Sequence, residues 1–202
     1  KEINVFFIES FYHGKNCLTV DEFFDWFTET FYSFLEAAQY QVCVPLYQEF
    51  IEFVEDAFGP DHPRMGTSLN NVARLYVELA RYREAEPLFK RALEIWEKFL
   101  GPDHPDLGIP LNNMALLYVT LGRYGEAEPL FQRDLALKEK ALGPDDPGMV
   151  TILNNLHLLY TAMGRYEEAE PLIDRALRIC EKTFAPDHPK MATLLNNQAS
   201  LY

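Results

Sequence analysis

The sequence predicts an all-α solenoid of antiparallel helix pairs, and three observations carry that reading. A signature returns at a fixed step, "FGPDHP" from Phe58, "LGPDHP" from Leu100, "LGPDDP" from Leu142 and "FAPDHP" from Phe184, each 42 residues after the last. Between signatures lie two runs of apolar residues at helical intervals, too regular for loop and too long for strand. Glycine, alanine and proline sit where one run gives way to the next, as helix stop and start signals do.

Residues 1–18 form an N-terminal flank or partial helix, and 19–57 a degenerate first repeat. Tyr40, Cys43 and Pro45 stand 42 residues before Tyr82, Ala85 and Pro87, and "PLYQEFIEF" matches "PLFKRALEI". Thr19 and Glu22 read as a capping box. Phe27, Phe31 and Phe34 fall in apolar columns, while Thr28 and Glu29 stand where later units carry paired asparagines. Repeats 2, 3 and 4 occupy 58–99, 100–141 and 142–183, and 184–202 supplies the first helix of a truncated fifth.

Within repeat 2, Leu69, Val72, Ala73, Tyr76 and Ala80 make the first stripe, and Ala85, Leu88, Phe89, Ala92 and Trp96 the second. Ala80, Gly122 and Gly164 provide the small residue of a tight helix–helix turn. Each pair should hold helices of about 17 residues, ~25 Å at 1.5 Å per residue. In the signature loop the glycine suits a left-handed C-cap and the next proline stops the helix. The aspartate is read as the next N-cap, and the second proline sits in a first turn that needs no amide donor. Pro87, Pro129 and Pro171 lie about five residues into the second helices, where each forfeits a hydrogen bond; a looser first turn or slight bend is predicted.

The chain lacks an initial methionine and stops midway through a helix pair, leaving Leu195 and Ala199 without a covering helix. Solenoids normally end in a polar capping element. The sequence therefore reads as a fragment whose open C-terminal end favours a further segment or self-association.

With 48% apolar and 24% charged residues, the chain has material for a large core and an ordinary soluble surface. Runs such as "NVFFI" are far below the ~20 residues of a membrane span, and no basic segment leads into a cleavable signal. A soluble cytoplasmic protein without a membrane partner is expected. Cys17, Cys43 and Cys180 are odd in number and widely spaced, which indicates neither a disulfide framework nor a zinc site. The net charge of −13 argues against nucleic acid, whose phosphates require a basic face. Eleven acidic residues against Lys1 and Lys15 put −9 of that charge in residues 1–57, with 15 of the 28 aromatics. The acidic, aromatic beginning and the nearly neutral remainder read as two sections with different roles.

No nucleophile elbow, phosphate-binding glycine loop or metalloprotease helix is present, so a non-catalytic protein without cofactor is expected. His62, His104 and His188 recur one per loop, but equivalent residues of stacked units lie ~10 Å apart, too far to share a metal with ~2 Å bonds.

The columns resemble tetratricopeptide repeats of the 42-residue kind found in kinesin light chains, with "LNNMALLY", "GRYGEAEPLF" and "LGPDHP" carrying the match over about residues 58–202. The resemblance implies a right-handed superhelix whose first helices line a concave groove for short linear motifs of partner proteins. The residues suit that role. Asn71, Asn113, Asn155 and Asn197 recur at one position, and an amide both donates and accepts, so a ladder of them suits the backbone of an extended peptide. Asn70, Asn112 and Asn154 stand beside them, and the competing reading is that these amides merely hold adjacent units together. Arg74, Leu116 and Leu158 fall on the same stripe, among Thr67, Val77, Ile109, Val119, Thr151 and Thr161. Arg74 is the one cation of that set, which departs from the basic pocket that reads acidic motifs in kinesin light chains.

Three features stand apart. "DEFFDWF" from Asp21 mixes carboxylates with Trp26 like the ligands such grooves accept, although its register makes it core. His157 interrupts the small column of Ala73, Ala115 and Ala199, and Asp134 that of Ala92 and Ala176; partial solvent access is expected for both. The leading functional reading is a protein-interaction scaffold or adaptor that holds an extended peptide or partner helix. The alternative is a sensor or regulatory arm of a larger enzyme, such as a nucleotide-switch ATPase or a caspase-like protease.

Overall fold

The apolar stripes fold as helices throughout, and no strand occurs among the described residues. The structure is a computed structural model that describes the backbone of residues 2–36, 40–185 and 188–199, and the side chains of 9–30, 44–185 and 188–199. The side chains of Phe31, Phe34, Tyr40 and Cys43, and all of Tyr202, lie outside the described residues. The helices are α1 (Glu2–Cys17), α2 (Val20–Glu36), α3 (Tyr40–Phe58), α4 (Pro63–Glu78), α5 (Tyr82–Leu100), α6 (Gly108–Thr120), α7 (Tyr124–Leu142), α8 (Met149–Ala162), α9 (Tyr166–Thr183) and α10 (Pro189–Ala199), with a 3₁₀ turn at Pro105–Leu107. No helix among the described residues is long and apolar enough to cross a membrane. The chain divides into two compact units, Lys1–Phe99 and Leu100–Tyr202.

In the first unit α2 and α3 pack on each other and on α1, and α3 packs on α4. Aromatic residues fill this core because the stripes of α1 to α3 are written almost entirely in them. Phe27 stacks on Phe50 with ring centroids 4.1 Å apart, and Phe11 meets the edges of Phe23 and Phe27 at 5.4 and 5.3 Å. Phe23, Phe24 and Phe27 of "DEFFDWF" are buried here, Trp26 stacks on Phe23, and Asp21 pairs with Arg64. The segment is core, as its register indicated. The capping box forms, with the Thr19 amide donating to Glu22 at 2.9 Å and the Glu22 amide to Thr19 Oγ1 at 3.3 Å.

In the second unit α6 packs on α7, α7 on α8, α8 on α9 and α9 on α10. The helices within a pair are unequal: α6 and α8 have 13 and 14 residues, against 19 and 18 in α7 and α9. The signature loop consumes the difference.

Both units use the same hairpin turn. Gly122 and Gly164 adopt φ of 69° and 73°, and Ala80 is forced to 56° at the equivalent place. The following arginine amide closes the turn onto a tyrosine carbonyl, Arg81 to Tyr76 at 2.7 Å, Arg123 to Tyr118 at 2.8 Å and Arg165 to Tyr160 at 2.8 Å. Each guanidinium lies over its tyrosine ring at 4.3–4.4 Å and pairs with the glutamate three residues on. The recurrent arginine, tyrosine and glutamate are thus parts of one turn.

The signature loop departs from the reading of its aspartate. Histidine is the N-cap: His62, His104 and His188 each accept through Nδ1 from the amide two residues on, at 3.2 Å. In the one loop without histidine, Asp146 performs the same task at 2.7 Å. The preceding aspartate points elsewhere. Asp61 pairs with Arg91 and Lys98, Asp103 with Lys140 at 3.3 Å and Asp145 with Lys182 at 3.0 Å, tying each loop to the second helix of its own pair. Gly59, Gly101 and Gly143 take positive φ of 87–88°, where glycine is favoured, although Gly143 pairs it with an extended ψ of 165° and not the predicted left-handed helical cap. Ala185 replaces that glycine in the last loop, and α9 accordingly stops at Thr183 with Phe184 extended at φ −118°.

Helices α5, α7 and α9 run without interruption through Pro87, Pro129 and Pro171. These prolines are exposed, and so are Arg83, Gly125 and Glu167, whose carbonyls each proline leaves without a helical donor.

Candidate functional site

The burial pattern of α6 and α8 defines one open face in the second unit. On α6, Leu111, Met114, Ala115, Leu117 and Tyr118 are buried, while Ile109, Asn112, Asn113, Leu116, Val119 and Thr120 remain exposed or half-buried. The open residues are spaced by three, four and seven, so they form one helical stripe. On α8 the same spacing leaves Thr151, Asn154, Asn155, Leu158 and Thr161 open over buried Ile152, Leu153, Leu156, Leu159 and Tyr160. Leu116 and Leu158 are each 41% exposed and Ile109 61%.

The asparagines of this face join neighbouring pairs. Asn155 Nδ2 donates to Asn112 Oδ1 at 2.7 Å, and Asn197 Nδ2 donates to Asn154 Oδ1 at the same distance. The second asparagine of one pair therefore meets the first of the preceding pair, the structural role that competed with peptide binding. Asn155 spends one of its two N–H groups in this way, and Asn112 one of its acceptor sites.

In the first unit, α4 carries Asn70 and Asn71 buried, at 3% and 2% exposure, between half-buried Thr67 and Arg74. Those two amides are closed to a ligand, unlike Asn112, Asn113, Asn154 and Asn155, so the predicted ladder does not present uniform rungs. Leu69, Val72 and Leu75 of the same helix are buried as well, and burial rather than residue type makes the difference.

Between α8 and α10 the face deepens into a pocket of about 220 Å³ lined by Val150, Thr151, Asn154, Pro189, Lys190, Thr193 and Leu194. Its walls are mostly apolar, with Asn154 and Lys190 among the lining residues. Lys190 was missed from sequence because its column holds Arg64, Asp106 and Gly148 in other repeats, so no repeating signal marks it.

Below the face, a polar network anchors α8 to α7. Glu128 accepts from Tyr160 Oη at 3.0 Å and Arg165 Nη1 at 2.8 Å, and Gln132 Nε2 donates to Tyr160 Oη at 3.0 Å. Burial, above all, pushes the Tyr160 phenol above its ordinary pKa. Hydrogen bonds donated to Glu168 and then to Glu128 push the Arg165 guanidinium pKa up, keeping it charged.

His157 and Asp134 are both fully buried, which corrects the expected partial solvent access. Asp134 accepts from Lys138 Nζ at 2.6 and 2.8 Å, and burial still raises its pKa against that partner. Its Oδ1 occupies the space a side chain on Gly108 would need. Among the described residues no three His, Cys, Asp or Glu are grouped to hold a metal ion.

Comparison with known proteins agrees with this architecture. A family model described as tetratricopeptide repeat matches residues 33–97, 79–140 and 148–202. No curated protein matches the chain. Among solved structures, the nearly identical TPR-like repeats of a Podosopora anserina protein assigned to the kinesin light chains superpose with a TM-score of 0.75 at 24% identity, over 87% of this chain and 83% of that one. BtubC (BKLC) from P. vanneervenii gives 0.74 at 18% identity, over 91% and 70%. Aspartyl phosphate phosphatase F from Bacillus subtilis gives 0.69 at 18%, over 89% of this chain and 44% of that one. At these identities the likeness is one of fold.

Proposed function

The chain belongs to the tetratricopeptide repeat family, and from that membership we propose that it is a non-catalytic interaction module whose second unit holds an extended segment of a partner protein across α6 and α8. One observation carries the reading: amides and exposed leucines alternate along a single open stripe of two neighbouring first helices. Asn112, Asn113, Asn154 and Asn155 offer donors and acceptors to a peptide backbone, while Ile109, Leu116 and Leu158 offer apolar contact to its side chains. Near neutrality of this face favours an uncharged, apolar segment over a strongly acidic one, and Lys190 alone adds a positive edge at the pocket.

The test needs residues that act on the partner and not on the fold. Asn155 also holds Asn112, so its replacement disturbs packing. Leu116 and Leu158 are exposed, and aspartate at either place leaves the core intact. Peptides are selected from a displayed library on the 202-residue chain, and the tightest is measured by fluorescence anisotropy. Leu116→Asp and Leu158→Asp should each weaken it about tenfold or more, the effect of losing a central apolar anchor. Unchanged affinity in both variants, with the helical circular dichroism retained, refutes the proposal.

A further inference from the structure

We infer that His157 is a proton-sensitive latch that governs how firmly α10 is held, and thereby regulates the α8–α10 end of the groove. The inference rests on the groove reading above for its functional meaning.

His157 stands in a column that is alanine in the neighbouring pairs, with Ala73 and Ala115 fully buried. Its ring is likewise buried, between three helices. Nδ1 lies 3.1 Å from the Ala169 carbonyl oxygen of α9, and Nε2 lies 3.4 Å from the Asn197 carbonyl oxygen of α10. Both partners are carbonyls, which only accept. A neutral imidazole carries one N–H, so one of the two contacts then sets lone pair against lone pair; the imidazolium donates to both. Protonation supplies the second donor and so completes a bridge between α9 and α10.

Asn197 passes this state to the groove. Its carbonyl faces the ring, while its side chain donates to Asn154, which lines the pocket with Lys190, Thr193 and Leu194 of α10. Holding Asn197 holds one wall of the pocket against the other.

Charged groups on the surrounding helices are engaged elsewhere. On α7, Glu128 is taken by Tyr160 and Arg165, and Asp134 by Lys138. On α9, Asp174 accepts from Gln198 of α10 at 2.9 Å, and Lys190 of α10 lies over the Phe184 ring. Among the described residues no carboxylate bonds the imidazole, so the ring answers to the two carbonyls.

Amide hydrogen exchange of the ligand-free chain tests the latch without any partner, so its failure is separate from failure of the groove. His188 also caps α10 through Nδ1 and loses that acceptor when its ring is protonated, so the latch is read against His157→Gln, which keeps His188: between about pH 7.5 and about pH 5.5, α10 amides of the unsubstituted chain should gain about tenfold or more in protection relative to the same amides in His157→Gln, after correction for intrinsic rates. The His157 ring ¹⁵N signals should report both nitrogens protonated at the lower pH. His157→Gln, whose amide donates at any pH, and His157→Ala, the residue of Ala115, should both lack this gain and leave only the loss that the His188 cap produces. The same α10 response in the unsubstituted chain and in His157→Gln, or a His157 ring that stays neutral at the lower pH, overturns the inference.

Discussion

Gly108 and Asp134 should be energetically inseparable, and a double-mutant cycle can measure it. Asp134 is fully buried, with both carboxylate oxygens held by Lys138 at 2.6 and 2.8 Å. A Cβ built on Gly108 would lie 2.3 Å from Asp134 Oδ1, 3.2 Å from its Cγ and 3.0 Å from Lys138 Nζ. A short buried side chain has nowhere to withdraw. Gly108→Ala should therefore lose about 1–3 kcal/mol, the range for overpacking a filled site. Asp134→Ala restores the residue found at Ala92 and Ala176, both fully buried, and frees Lys138, already 24% exposed, to extend into water. In that background Gly108→Ala has space, and at its helical φ of −56° it should gain up to about 0.5–1 kcal/mol. The sign of one substitution thus reverses with the other, a coupling of about 1–4 kcal/mol. Urea unfolding followed by circular dichroism on the four proteins measures it. Effects that add to within about 0.5 kcal/mol would refute the argument, because they would show that the two sites do not compete for one volume.

Other consequences are open to the same assay. Ala80→Gly should stabilise the protein by about 0.5–1 kcal/mol, since Ala80 holds a φ of 56° where the equivalent turns use Gly122 and Gly164; a loss of stability would contradict the reading of that turn. His104→Ala should cost about 0.5–2 kcal/mol through the lost cap, while His104→Asp, copying Asp146, should recover most of it; equal losses in both would show that the ring does not cap. Burial raises the Asp134 pKa in the folded state, so its contribution to stability is present below the unfolded value of about 4 and is lost as pH rises through the folded one. The advantage of Asp134→Asn over the unsubstituted chain should then grow between about pH 4 and about pH 7, and a difference flat across that range would argue against it.

Much of this architecture was legible because repetition multiplies weak signals. One apolar stripe is ambiguous, whereas four in register with recurring Gly59, Gly101 and Gly143 define helices, turns and their order. What escaped were pairings between columns. The loop aspartate was read as a local cap because Ser, Thr, Asp and Asn usually cap, yet the matching lysine lies 37 residues away on the second helix, beyond any local rule. Histidine capped instead because the aspartate was already committed. Burial of His157 and Asp134 also escaped, since an ionisable residue in a small column gives no hint of its partners: two carbonyls for one, Lys138 for the other. The asparagine pairs were half legible. On α6 and α8 they lie on an open stripe, but their bonds to one another depend on how pairs stack, and Asn70 and Asn71 are buried where Asn112 and Asn113 are half-buried.

The central claim is that a partner lies along the open stripe of α6 and α8. Side-chain amide resonances of Asn112, Asn113, Asn154 and Asn155, followed while the selected peptide is titrated into the ¹⁵N-labelled chain, test it most directly. The account predicts that these signals shift together with the methyls of Leu116 and Leu158 and saturate at one affinity. Shifts confined to α7 and α9, with the four amides and two leucines unmoved at saturation, would contradict it.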